Sequence, residues 1–199
     1  MLITRYAKII MSLVLAAFCM LVTFDNIADY GTNYLFVQHV MSMDTTFPGN
    51  AVMYRSITNP VLWRAAYAAI IATEGITGIL YLAGAIRLFQ TRNAPPAEFN
   101  RAKTYVIAAS ALAFLVWFFG FMVVAGEWFA MWQSAMWNGQ EAAFRFYVAV
   151  MGVLIFVNQL DVDLPGTEPL ASAPKASQQK GLKVVNRGAG RRSSHELRP

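Results

Sequence analysis

VLWRAAYAAIIATEGITGILYLAGAIRLF, residues 61–89, decides the fold. Wound as a helix at 1.5 Å per residue, the stretch exceeds the ~30 Å hydrocarbon core of a bilayer. A soluble domain has no use for so long an apolar run, so the reading is a membrane span with some tilt or an emergent end. It carries one carboxylate, Glu74, near its middle. Ala65, Ala68, Ala72 and Gly75 form a seam of small residues that would let another helix approach closely. Asn59-Pro60 just before it is a helix start signal.

Three further runs of the same kind appear. The first covers 7–24, behind a basic entry with Arg5 and Lys8. It is read as an uncleaved helix, because it ends in Thr23-Phe24-Asp25 without a small-residue cleavage pattern. The others cover 104–126 and 142–159, and the central run is taken as 61–87. Composition agrees: 57% of the 199 residues are hydrophobic and 14% charged, against about 25% charged in an average globular protein.

These runs make an all-α, four-helix transmembrane bundle over residues 1–160. Thirteen of the sixteen Lys and Arg residues lie in the N-terminal entry, the 87–103 connection or the tail. Only Arg55, Arg64 and Arg145 fall on the other side. The positive-inside rule then puts both termini in the cytoplasm, N-in and C-in. In a bacterium that means a multi-pass protein of the inner membrane. The first outer connection, Asp25–Pro60, is too apolar for a plain linker, and Asn33–Met43 in it suits a short amphipathic helix with Phe36, Val40 and Met43 on one side. Pro48-Gly49-Asn50 reads as a turn. Residues 161–199 lack apolar periodicity and read as a disordered basic tail. Its charges could rest on anionic lipid. No nucleic-acid-binding fold accompanies them.

Several segments of the chain resemble one family. They are Asp25-Asn26, Asp29-Tyr30, FVQHVMSMDTTF at 36–47, Phe99-Asn100-Arg101-Ala102-Lys103 and, most distinctively, GEWFAMWQSAMWNGQEAAFRF at 126–146. Together they resemble the predicted small integral membrane proteins of domain of unknown function 2165, over roughly residues 1–160. The resemblance implies a four-helix bacterial membrane protein and brings no catalytic residue with it.

Candidate chemistry begins with Glu74. A carboxylate at mid-depth costs about 2.5 kcal/mol or more, so it should face the bundle interior or hold a proton. It is either a relay or ligand counter-charge, or a structural acid bonded to a neighbouring helix, for instance to Ser110. Glu141 and Arg145, spaced i, i+4, share a helix face. With Glu127 they read first as an ion pair closing the third and fourth helices. The functional alternative is an outer polar cluster that adds Asp25, Asp29 and Arg64. His39, Met41 and Met43 offer copper-type ligands, but only an extended segment would align them. Trp128, Trp132 and Trp137 suit an interfacial belt or a docking surface. Cys19 is the sole cysteine, so no internal disulfide or paired-cysteine redox motif exists. Neither histidine lies in an apolar run, which argues against a bis-histidine haem within the bilayer.

No nucleotide-binding, zinc-protease or nucleophile-elbow pattern is present. The expectation is a protein that is not an enzyme and needs no cofactor. Its surroundings are the lipid bilayer and a membrane-protein partner or second copy. It is read first as an accessory or assembly subunit of a larger complex. The alternative is a small transporter, channel or sensor using Glu74 and the outer cluster. A membrane enzyme acting on lipid or quinone is a third option.

Overall fold

The computed structural model describes residues 2–162. Among them there are helices and turns and no strand. Four helices are long and apolar enough to cross a membrane. The first is α1 (Leu2–Ala28), followed by the short α2 (Tyr30–Ser42). Next come the long α3 (Pro60–Gln90) and the two-turn α4 (Pro96–Ala102). The third span begins as α5 (Thr104–Phe114) and continues without a break as a π-helix over Leu115–Trp128. The fourth is α6 (Gln140–Asn158). The first three spans extend beyond the apolar runs that announced them, and the fourth starts two residues earlier and ends one residue sooner than its run, because hydropathy marks the greasy part of a helix while backbone hydrogen bonding sets its ends.

The chain goes up and down in order. α1 packs on α3, α3 on α5, α5 and the π-helix on α6, and α6 closes back on α1. The start of α3 is fixed by its sequence: the Asn59 side chain accepts from Val61 N at 2.9 Å, and Pro60 occupies the first helical position. The expected turn is also there, with Gly49 at φ +75°, a conformation that favours glycine.

The predicted small-residue seam is corrected. Ala65, Ala68 and Ala72 are exposed, and Gly75 alone of the four meets another helix, at Thr23 of α1. Closest approach is instead at Gly78, where a Cβ would stand 2.9 Å from Met20 Sδ, and at Gly84, where it would stand 2.6 Å from Val106 Cγ2. These glycines let α1 and α5 lie against opposite parts of α3. Around them Cys19, Tyr81, Leu88, Val106, Ala109 and Ala113 form the membrane core. The Tyr81 and Ser110 hydroxyls satisfy one another inside it at 2.9 Å.

A second, smaller core lies at the loop end. Val40, Met43, Phe129, Ala130 and Met131 are buried together. The two long connections thus fold onto each other as a cap. Thr45 Oγ1 and Ser134 Oγ pair at 2.9 Å, Phe47 N donates to Gln133 Oε1 at 3.1 Å, and Ile57 N donates to Met41 O at 2.7 Å. Met43 and Ala130 both adopt left-handed backbone (φ 56° and 51°) to make the reversals.

At the opposite end the chain is clasped by an ionic hub. Asp161 Oδ2 accepts from Arg5 Nε at 2.9 Å, and Oδ1 accepts from Lys8 Nζ at 2.6 Å with Lys103 Nζ at 3.5 Å. Asn100 holds the Asp161 backbone from both sides, at 3.0 Å each way. Three cations thus meet one acid, and the surplus donors end on backbone oxygens of Arg92, Ala94 and Gln159. Phe99 lies under the Arg5 guanidinium, 4.5 Å away. This corrects the reading of the tail as disordered from Asp161 onward: Asp161 is buried, and the rest of the tail, from 163, lies outside the described residues. The hub also places the starts of α1 and α5 and the end of α6 at one end of the bundle.

Candidate membrane cavity at Glu74

Glu74 faces the bundle interior and is 2% exposed. Its partner is not Ser110, which is engaged with Tyr81, but Asn26 in the last turn of α1. Asn26 Nδ2 donates to Glu74 Oε2 at 2.7 Å. The Tyr67 hydroxyl, two turns back along α3, in turn donates to Asn26 O at 2.7 Å. Asn26, the joining residue, is held by α3 through both its backbone and its side chain.

This pairing fixes where the acid stands along α1. Glu74 is midway along α3, but α3 overshoots α1 at the loop end. Measured along α1 at 1.5 Å per residue, Asn26 stands about 27 Å from the hub residue Lys8. The carboxylate therefore lies beside the loop-side end of α1, far from the hub.

Beside Glu74 is a cavity of about 240 Å³, lined by Asn26, Asn33, Tyr67, Trp117, Phe121 and Phe146 among others. All four spans and α2 contribute to its wall. Trp117 and Phe121 come from the π-helical segment, whose wider winding is uncommon and often accompanies functional sites. Oε2 accepts from Asn26, while Oε1 makes no hydrogen bond among the described residues and keeps some accessible surface on the cavity side. A second cavity of about 290 Å³, with no charged side chain in its wall, adjoins the first. Phe36, Val37, Ile70 and Phe121 line both and so partition them.

The other candidates are not brought to this site. Glu141 and Arg145 do pair, but within one face of α6 and largely in the open, so the pair does not close the third helix on the fourth. Asp25, Asp29, Arg64 and Glu127 are exposed and form no ion pair among the described residues, so the proposed outer polar cluster does not assemble. Arg55, an outer-side cation that is not part of the expected cluster, reaches toward the Glu127 and Trp128 carbonyls and lies over the Trp128 ring at 4.9 Å.

The three loop tryptophans take different environments. Trp128 and Trp132 are half exposed, Trp132 edge-on to Phe47. Trp137 stacks on His39 with centroids 4.6 Å apart. His39 Nδ1 is meanwhile bonded to Asp44 at 2.9 Å. Because His39 and Met41 lie on helix α2, they diverge by about 200° around its axis, and Met43 is buried in the cap core. The His39, Met41, Met43 ligand set has no common face.

The sequence model of the family described as predicted small integral membrane proteins, domain of unknown function 2165, matches residues 4–160. The chain belongs to this family. The match begins beside Arg5 and ends at Leu160, so it takes in every described helix except the first two residues of α1, and three of the four charged hub residues. No curated protein and no solved structure matches the chain.

Proposed function

We propose that this family member is a small-ligand-binding membrane protein of the transporter or sensor class, with the Glu74 cavity as its site. The observation that carries the reading is the free Oε1 of a buried carboxylate facing an aromatic-walled cavity. Oε1 is not enclosed by the bundle, so it is open to whatever occupies the cavity. The outer polar cluster of the sequence reading has no part in this. We place the terminal end, with its hub and 13 flanking cations, in the cytoplasm, and the cap on the outer side of a bacterial inner membrane. The reading is non-enzymatic. Glu74→Gln tests it: a lost ligand response or transport phenotype at unchanged protein level supports it, and an unchanged phenotype counts against it.

One observation favours the accessory-subunit reading as a second function. Ala65, Ala68 and Ala72 are left uncovered by the protein's own helices, and small residues at such spacing suit close helix packing with another membrane protein. Leucine at Ala68 and Ala72 would block that packing. Co-purification in mild detergent that survives these changes, or a solitary wild-type monomer, would remove this reading.

A further inference from the structure

The wall of the Glu74 cavity has a definite chemical bias. It contains one acid and no Lys, Arg or His. Five of its side chains are aromatic: Phe36, Tyr67, Trp117, Phe121 and Phe146. Its best donors are already used, Asn26 Nδ2 on Glu74 and the Tyr67 hydroxyl on Asn26. The charged valence left over is an acceptor, Oε1, and the only other unengaged polar group in the wall's aromatic set is the neutral indole N–H of Trp117. Such a site rejects anions, because nothing in it offsets their charge. It suits hard divalent ions badly, since these take six or more oxygens. A weakly hydrated organic cation fits both halves of the wall: the carboxylate supplies the counter-charge, and ring faces attract the rest of its charged surface.

We propose that this cavity binds a small organic cation of the alkylated or quaternary ammonium class, with Glu74 as counter-ion and Tyr67, Trp117 and Phe146 as aromatic wall. The proposal rests on reading the cavity as a ligand site and adds the class of ligand. The adjoining apolar cavity, with Phe36 and Phe121 in the partition, gives an alkyl substituent on the cation a place to go. The cap helix α2 contributes Phe36 and Val37 to both cavities, so its docking and ligand capture share residues.

The test uses the purified full chain in lipid nanodiscs and two probes of nearly one shape. Choline carries a quaternary nitrogen, and 3,3-dimethylbutan-1-ol carries a carbon in its place. Binding is followed by calorimetry and by tryptophan fluorescence. The expected result is tighter binding of choline by about tenfold or more. Glu74→Gln should remove that preference. Phe146→Leu keeps an apolar wall without the ring, and should weaken choline several-fold while leaving the alcohol unchanged. It also serves if Glu74→Gln does not fold. Equal affinity for the two probes would overturn the cationic assignment and leave a site for neutral ligands. Failure of both probes to bind folded protein would overturn the ligand-site reading as well.

Discussion

Replacing Asp161 by Asn removes one charge and almost no volume. In the structure that charge faces Arg5, Lys8 and Lys103, which are 5%, 1% and 2% exposed. The amide oxygen can still accept one bond, but three buried cations are then left without an anion. Removing one partner of a buried ion pair costs about 3–5 kcal/mol. The lower figure applies here, because backbone oxygens of Gln159, Arg92 and Ala94 already share the donors. About 3 kcal/mol corresponds to a fall in unfolding midpoint of roughly 6–12 °C at this chain length. Thermal unfolding in one detergent, followed by tryptophan fluorescence, would measure it. The same scan against pH supplies a second readout. Burial alone would raise the Asp161 carboxyl, but hydrogen bonds from Lys8 and Arg5 and the charges of Lys8 and Lys103 outweigh it, so the group lies below the ordinary Asp range. A depressed pKa contributes stability above the unfolded-state value and loses it as pH falls through the folded value. Wild type should therefore weaken on acidification in a limb that Asp161→Asn lacks. A variant melting within about 2 °C of wild type, with the same acid limb, would refute the hub as a clasp.

Three other outcomes follow from the geometry. Gly84→Ala puts a methyl 2.6 Å from Val106 Cγ2 and 3.0 Å from Val106 N; a β-branched side chain and backbone yield little, so a loss of about 1–3 kcal/mol is expected in the same unfolding assay. Gly31→Ala, where nothing lies within 4 Å, is the control and should not destabilise by packing. Ala130→Gly relieves a left-handed residue by about 1–2 kcal/mol, but it also removes a methyl buried in the cap core and adds glycine's chain entropy, together of about the same size, so proteolysis of the 126–140 connection should be nearly unchanged. Ser110→Ala leaves the Tyr81 hydroxyl without its partner in the membrane core, a cost of about 1–3 kcal/mol, read as a lower midpoint with the cavity's ligand affinity unchanged.

The spans were legible because greasy length is a property of each segment alone. Runs such as Val61–Phe89 announce themselves whatever they pack against, and the Asn59-Pro60 start was legible for the same local reason. Which residues meet was not legible. The alanine seam 65, 68, 72 and the glycines 75, 78, 84 are equally small in sequence, and only helix rotation decides that α1 and α5 choose the glycines. Asp161 reads as tail because apolar periodicity stops there, yet one buried acid opposite three cations holds it to the body. The surplus of cations near Arg5, Lys8 and Lys103 was read as a topology signal, and could have suggested that an acid must join them. Glu74 was found from its cost in lipid. Its partner Asn26 lies just beyond an apolar run, in a segment that carries the family resemblance, and the overshoot of α3 past α1 that brings them together appears only in three dimensions.

The central claim is that Glu74 presents a free carboxyl oxygen to an accessible cavity. Treating the nanodisc-embedded protein with a membrane-permeant carbodiimide and locating the adduct by peptide mass spectrometry tests it directly. Labelling at Glu74 that choline suppresses is the predicted result. Labelling confined to exposed acids such as Asp25, Glu127 and Glu141, with Glu74 untouched, would contradict the account.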